Sequence, residues 1–272
     1  MELSDLNSKG FCVIKSLFNP DQINIIRQDF ELIKDHDVNK DYPVLPVGKR
    51  IPLTEIIETV VAPVSKTISN DIGLITDFSP TPVYFSIKHG VNFNWHQDHE
   101  SYFYFNDHLN YLNIYVPIYK ENKELSNVCV IDFQKLINKD PRMSFLKGYG
   151  ATSFSVLNGE TILQDDNTNT KHYLNFDINE IADCPQLDVG DALIMRGDCI
   201  HRTQDTLTPR VAMSIRRMNS ASVVKRSNFD ITCPAKDVVY NGNKQHYQKI
   251  LDKFGNAEQK LLGELLDVYA QR

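Results

Sequence analysis

The chain has no apolar run long enough to span a bilayer, so a membrane-embedded role is not expected. It also lacks an excess of positive charge. The net charge is −6 at pH 7, the wrong sign for a protein whose partner is a phosphate backbone. Cys12, Cys129, Cys184, Cys199 and Cys233 are odd in number and include no Cys-x-x-Cys pair. Neither a zinc knuckle nor a disulfide framework is expected, and reduced thiols in a cytoplasmic protein are the simpler reading. The opening MELSDLNSKG has no basic stretch leading into an apolar one, so a secretory signal is not expected. Internal repeats and glycine-rich nucleotide loops are missing, and Gly148-Tyr149-Gly150 and Arg196-Gly197-Asp198 are short matches without weight.

What is present reads as one globular domain over residues 1–272. At 42% hydrophobic and 24% charged the composition excludes disorder and fibrous repeats, and a chain of 272 residues buries enough surface to fold without covalent staples. The one basic stretch, Arg216, Arg217, Lys225 and Arg226, reads as a solvated strand end.

Phe11 to Leu17 has the texture of a strand. Asn19, Pro20 and Gln22 then form a helix start with a capping box, followed by Ile23, Ile26, Phe30 and Ile33 at helical spacing. Asp41 to Pro52 reads as a loop and Leu53 to Asn70 as a second helix. From Pro82 to Ser220 short β-rich runs alternate with Gly, Pro, Asn and Asp, the pattern of a sandwich or barrel. Asn158 to Glu180 reads as a long surface loop or hairpin. Tyr247, Ile250, Leu251 and Phe254 share a helical face that Gly255 ends, and Asn256 with Gln259 opens a last helix bearing Leu262, Leu265, Leu266 and Tyr269. These helices pack on the β core or on a second subunit, which makes a homodimer a candidate.

The chemistry concentrates in His96-Gln97-Asp98. In extended chain, residues i and i+2 face the same side, so one imidazole and one carboxylate converge. His201 supplies a second imidazole after a gap long enough for several strands to return to the same end of a barrel. Two histidines and one carboxylate on one face of an octahedral ion leave three positions open, the facial triad of Fe(II) oxygenases, whereas a structural zinc site closes its shell. A lone His-x-Asp pair is also met in surface turns. Arg210 opens the strand-like run VAMSIRR just after His201, where its guanidinium can pair with the distal carboxylate of a 2-oxo dicarboxylate.

FNWHQDHES, residues 93 to 101, resembles the metal signature of the phytanoyl-CoA dioxygenase superfamily, and is especially similar to the Phe-x-Trp-His-x-Asp form of ectoine hydroxylases. GFCVIKSLFNPDQINIIRQDF resembles the opening strand and helix of that superfamily, and YLNIYVPIYKENKELSNVCVID a later strand. The resemblance implies a double-stranded β-helix with flanking helices and an enzyme that uses Fe(II), 2-oxoglutarate and O₂ to hydroxylate its substrate. The net charge of −6 and the aromatic, polar-tipped segment from His99 to Asn110 favour a small polar metabolite, an amino acid or natural-product intermediate. It implies His96, Asp98 and His201 as metal ligands, Arg210 as the partner of 2-oxoglutarate, and Thr203 and Phe93 as co-substrate contacts. For Thr203 a bond to backbone, and for Phe93 core packing, are the alternatives. Tyr102 resembles a substrate-lining position where ectoine hydroxylases carry Trp. The run Tyr102 to Phe105 reads either as a lid or as packing, and Asn113 and Tyr115 alternate onto one strand face that could border a pocket. The rival outcomes are desaturation or cyclisation with the same cofactors, and a cupin-like barrel that binds metal or ligand without turnover.

Overall fold

Asn19 accepts the backbone N–H of Gln22 through its side chain while the Gln22 side chain accepts the N–H of Asn19, and Pro20 needs no donor at the first helical position. This local chemistry starts the first long helix of the computed structural model, which describes residues 4–35, 44–46, 51–86, 93–205 and 207–266. In chain order the elements are α1 (Ser4–Ser8), β1 (Phe11–Ile14), α2 (Pro20–Ile33), β2 (Val44–Pro46), α3 (Ile51–Ile72), β3 (Val83–Ser86) and β4 (Tyr111–Lys120). There follow β5 (Val128–Ile131), α4 (Phe133–Lys139), β6 (Thr152–Leu157), β7 (Glu160–Asp165), β8 (Thr170–Leu174) and β9 (Ala182–Asp183). The chain closes with β10 (Ala192–Arg196), β11 (His201–Thr203), β12 (Arg210–Met218), β13 (Val223–Lys225), α5 (Pro234–Gly242), α6 (Lys244–Phe254), β14 (Gln259–Leu261) and α7 (Leu262–Leu265).

Two antiparallel sheets face each other as a double-stranded β-helix. The larger runs β1-β10-β4-β12-β3-β2. The smaller contains β11-β5-β9 and the meander β6-β7-β8, and the segment around His96 zips between β6 and β11 through bridges to Ser153 and His201. Strand alternation sorts side chains by layer. On β4, β10 and β12 the outward residues Leu112, Ile114, Val116, Ala192, Ile194, Val211, Met213 and Ile215 meet Ile23, Ile26 and Phe30 of α2 and Leu53, Ile57 and Val61 of α3. The inward residues Tyr115, Leu193, Met195 and Ala212 meet Val128 and Val130 of β5. A third cluster joins the aromatic turn Ser101–Phe105 to the C-terminal helices, with Tyr104 stacked on Tyr247 at 4.3 Å. No described helix is long and apolar enough to cross a membrane.

Several expectations change. Val44–Pro46, read as loop, pairs with β3, and α3 begins at Ile51. Of the two alternatives for residues 158–180 the hairpin holds, since β7 and β8 pair there, and β6 extends it to a three-stranded meander. Of the expected last helix, Leu262–Leu265 is helical, while Gln259–Leu261, expected to open it, pairs instead with Val223–Lys225; Tyr269 lies outside the described residues. Cys129 and Cys184 are joined in a disulfide, so the expectation of five reduced thiols is corrected; the β5–β9 pairing brings the two together across 55 residues. Cys12, Cys199 and Cys233 remain free and buried. Arg216 and Arg217 are not a solvated strand end. Arg217 faces outward into a buried set of bonds to Glu58, Ser65 and Ser79, and Arg216 faces inward.

Candidate metal centre

Backbone pairing builds the centre before any side chain is considered. The N–H of His96 donates to the carbonyl of His201 at 3.0 Å and the reverse bond is 2.9 Å, while Gln97 N–H donates to Thr152 and Phe154 N–H to Trp95. One candidate ligand segment is therefore clamped between two strands, one of which carries the distal histidine. His96, Asp98 and His201 offer ligand atoms that all lie within 4.8 Å of one another. The Nδ1–H of His96 donates to the Asn94 carbonyl at 2.7 Å, and that of His201 to the Cys199 carbonyl at 2.9 Å. Both rings are thereby oriented with Nε2 as the free lone pair, the arrangement that metal-binding histidines need. The pKa of His96 is pushed down to about 3, first by burial and then by His201 beside it, against the pull of Asp98, so its imidazole is neutral and able to ligate.

Sequence reasoning passed over the supports of this segment. Gln97 is fully buried; its amide donates to the carbonyls of Leu146 and Asp198, each at 2.7 Å, and its oxygen accepts the Thr152 hydroxyl at 2.7 Å. Asp198 forms a buried ion pair with Arg196 and accepts the Gly148 N–H. The tripeptide set aside as a chance match is thus the buttress of the loop leading to His201. Leucine in place of Gln97 would leave the Asp198 carbonyl and the Thr152 hydroxyl without this partner, while the Leu146 carbonyl keeps the Tyr149 N–H, at roughly 1–3 kcal/mol for each buried group left unpaired. The expected result for Gln97→Leu is a melting temperature lower by several degrees and a metal affinity reduced about ten- to a hundredfold. Calorimetric unfolding and Co(II) titration check this, and unchanged metal affinity would show that the ligand segment holds without it.

The ligand trio opens into a cavity of about 210 Å³ whose wall includes Phe85, Phe93, Asn113, Tyr115, Thr203 and Arg210. Thr203 both accepts the Phe93 N–H (3.1 Å) and meets Arg210 Nη2 (3.5 Å), and the Phe93 ring lies 5.6 Å from that of His96. Arg210 Nη1 and Tyr115 Oη are buried and have no hydrogen-bond partner. Burial raises the Tyr115 pKa even though Arg210 opposes it, which keeps the phenol a proton donor. Lys120, opposite Arg210 in the β4–β12 ladder, is pushed down to about 8 by burial, with Arg210 adding to that effect against Asp188. This end of the cavity is a cationic pocket with two donors aimed at nothing, and a carboxylate would satisfy both.

Tyr102 is not in that wall. The turn Ser101–Phe105 is π-helical and carries the Tyr102 ring away to His108 (5.5 Å) and Tyr149 (4.7 Å). Gly150 fits beneath it, since a Cβ there would stand 2.7 Å from Tyr102 Cβ. The structure packs Tyr102 against His108 and Tyr149, outside the lining of the cavity at the ligand trio. The wall instead contains His99, Glu100, Arg216, Asn243 and Tyr247. His99 bridges the Gln97 carbonyl and Asp166 at 2.9 and 2.8 Å. The residues from α6 and its approach could not be found from the motif, because they arrive from the far end of the chain.

No protein-family model matches this sequence. No curated protein matches it either. Solved structures share its fold. The non-haem α-ketoglutarate-dependent epimerase SnoN from nogalamycin biosynthesis is 8% identical, with 82% of this chain and 83% of that one covered at a TM-score of 0.51. EvdO2 from Micromonospora carbonacea var. aurantiaca, complexed with 2-oxoglutarate, is 14% identical over 80% and 89%, at 0.52. The α-ketoglutarate-dependent carbocyclase SnoK is 8% identical over 82% and 84%, at 0.50.

Proposed function

We propose that the chain is a non-haem Fe(II)- and 2-oxoglutarate-dependent oxygenase acting on a small free metabolite, with His96, Asp98 and His201 as the metal ligands. The observation that carries this reading is the pair of unpartnered buried donors, Arg210 Nη1 and Tyr115 Oη, in the same cavity as the three ligand atoms. A chelating 2-oxo acid held at the metal, with its far carboxylate on this pair, accounts for both features at once. The sequence resemblance at Phe93, Trp95, His96 and Asp98, and the 2-oxoglutarate bound in EvdO2, support it.

When bound, iron and co-substrate supply the oxidising power: O₂ is reduced as 2-oxoglutarate loses CO₂ to give succinate and a substrate C–H bond is oxidised. The chain's own residues do the positioning. The two imidazoles present Nε2, and Asp98 supplies the single negative charge of the ligand set. Arg210 and Tyr115 fix the co-substrate's far end, with Thr203 turned to the Arg210 guanidinium. Phe85, Val128 and Met195 form apolar wall that keeps this chamber short of water.

Hydroxylation is the first reading of the outcome. Epimerisation or ring closure is the second, favoured by the activities of SnoN and SnoK. Product mass separates them, because only hydroxylation adds an oxygen atom. Anaerobic Fe(II) with 2-oxoglutarate is expected to give a weak visible charge-transfer band, and air then to release succinate. No band and no succinate would leave the barrel a non-catalytic binder.

A further inference from the structure

The inward face of β12 is a ruler through the interior. Arg210, Ser214 and Arg216 line the metal-side cavity, and Arg216 and Met218 line a second cavity of about 370 Å³. Six residues of strand separate Arg210 from Arg216, roughly 20 Å. The second cavity therefore lies at the opposite end from the co-substrate pocket. Glu100, Arg216 and Asn243 belong to both walls, so the two spaces adjoin.

The chemistry of the second cavity is mixed in an informative way. Phe105, Met218, Ile250, Leu265 and Leu266 give it an apolar lining. Its fixed charges among the described residues are Arg216, Lys249 and Lys253 against Glu100 alone. Helical spacing explains the cationic side: positions 246, 249, 250 and 253 of α6 share one face, so His246, Lys249, Ile250 and Lys253 all border this space. Glu100 offsets only Arg216, from whose Nε it stands 3.9 Å, and it also accepts the Tyr247 hydroxyl at 3.2 Å, so the charges of Lys249 and Lys253 remain in excess among the described lining residues.

We infer that the prime substrate is an amphipathic organic acid that spans both cavities, an inference that rests on the metal-cavity reading above. Its apolar body lies against Met218, Ile250 and Leu266. Its carboxylate sits by Lys249 at the rim, with Arg216 at the passage, and the oxidised carbon reaches the metal past Glu100. A free amino acid alone would leave the second cavity unused, and a cationic amine would meet like charge.

Decanoate is a suitable probe and decylammonium its charge-reversed control. Both are titrated calorimetrically into the full chain loaded with Ni(II) and 2-oxoglutarate. Decanoate is expected to bind at least about tenfold more tightly than decylammonium. Lys249→Glu, at an exposed helix position, is expected to weaken decanoate about fivefold and leave 2-oxoglutarate affinity unchanged; Arg216→Gln is expected to weaken decanoate about tenfold. Equal binding of the two probes, or decanoate affinity indifferent to Lys249→Glu, overturns the inference. Because 2-oxoglutarate is titrated separately, its failure to bind while decanoate binds as stated strikes the metal-cavity reading and leaves the acid site standing. Binding of 2-oxoglutarate without decanoate strikes the acid site alone.

Discussion

Alanine in place of Asp98 is expected to abolish turnover and to lower metal affinity by more than about a hundredfold while the fold persists. Loss of an outer hydrogen-bond partner of a ligand already costs roughly ten- to a hundredfold, and here a donor atom itself is removed from a set of three. The fold survives because the Asp98 carboxylate does no structural work: its ion-pair neighbour is His201 at 3.9 Å. A carboxylate held toward an imidazole at that distance has given up hydration for little return within the protein, which is the signature of a group waiting for a cation. His201→Ala is expected to behave alike, since the ladder contacts of His201 to His96 and Val130 are made by its backbone. Thermal unfolding, anaerobic Fe(II) titration and succinate release check the three parts. Full activity with stoichiometric iron in either variant would sink the triad.

How far the site could be read in advance follows from the range of each signal. The start of α2 was legible because a capping box is complete within four residues. The approach of His96 to Asp98 was legible because it depends on local spacing, and Arg210, which begins β12 after His201 in the chain, lines the same cavity as these residues. Tyr115 and Asn113 emerged from strand alternation alone. The position of Tyr102 was not legible, because a π-helical turn breaks the extended geometry after Asp98, and the glycine that receives its side chain is 48 positions away, at Gly150. Arg216 and Arg217 looked like one basic patch, yet adjacent residues of a strand point to opposite faces, and β12 is covered on both. The Cys129–Cys184 link and the α6 wall depend on which distant strands and helices meet, and no local pattern encodes that.

Arg210→Ala is expected to raise the half-saturating concentration of 2-oxoglutarate by two to three orders of magnitude. Breaking one side of a buried charge pair costs about 3–5 kcal/mol, and each 1.4 kcal/mol is a tenfold change in affinity. Stability should hold or improve, because without co-substrate the guanidinium is a buried cation across the ladder from Lys120, with Nη1 unpartnered. Tyr115→Phe removes the second donor and keeps the ring, so its expected effect is smaller, about tenfold. Arg202 is the alternative anchor, since it lines the same cavity. Its Nε, like Arg210 Nη1, is buried without a partner, but its Nη1 donates to the carbonyls of Thr203 and Gln204 at 2.8 and 3.0 Å, and its guanidinium lies over the Trp95 ring at 5.0 Å. Arg202→Ala is therefore expected to change co-substrate half-saturation little. Succinate formation measured against 2-oxoglutarate concentration in the three variants decides between them: an unchanged half-saturation in Arg210→Ala with a large rise in Arg202→Ala would transfer the carboxylate to Arg202.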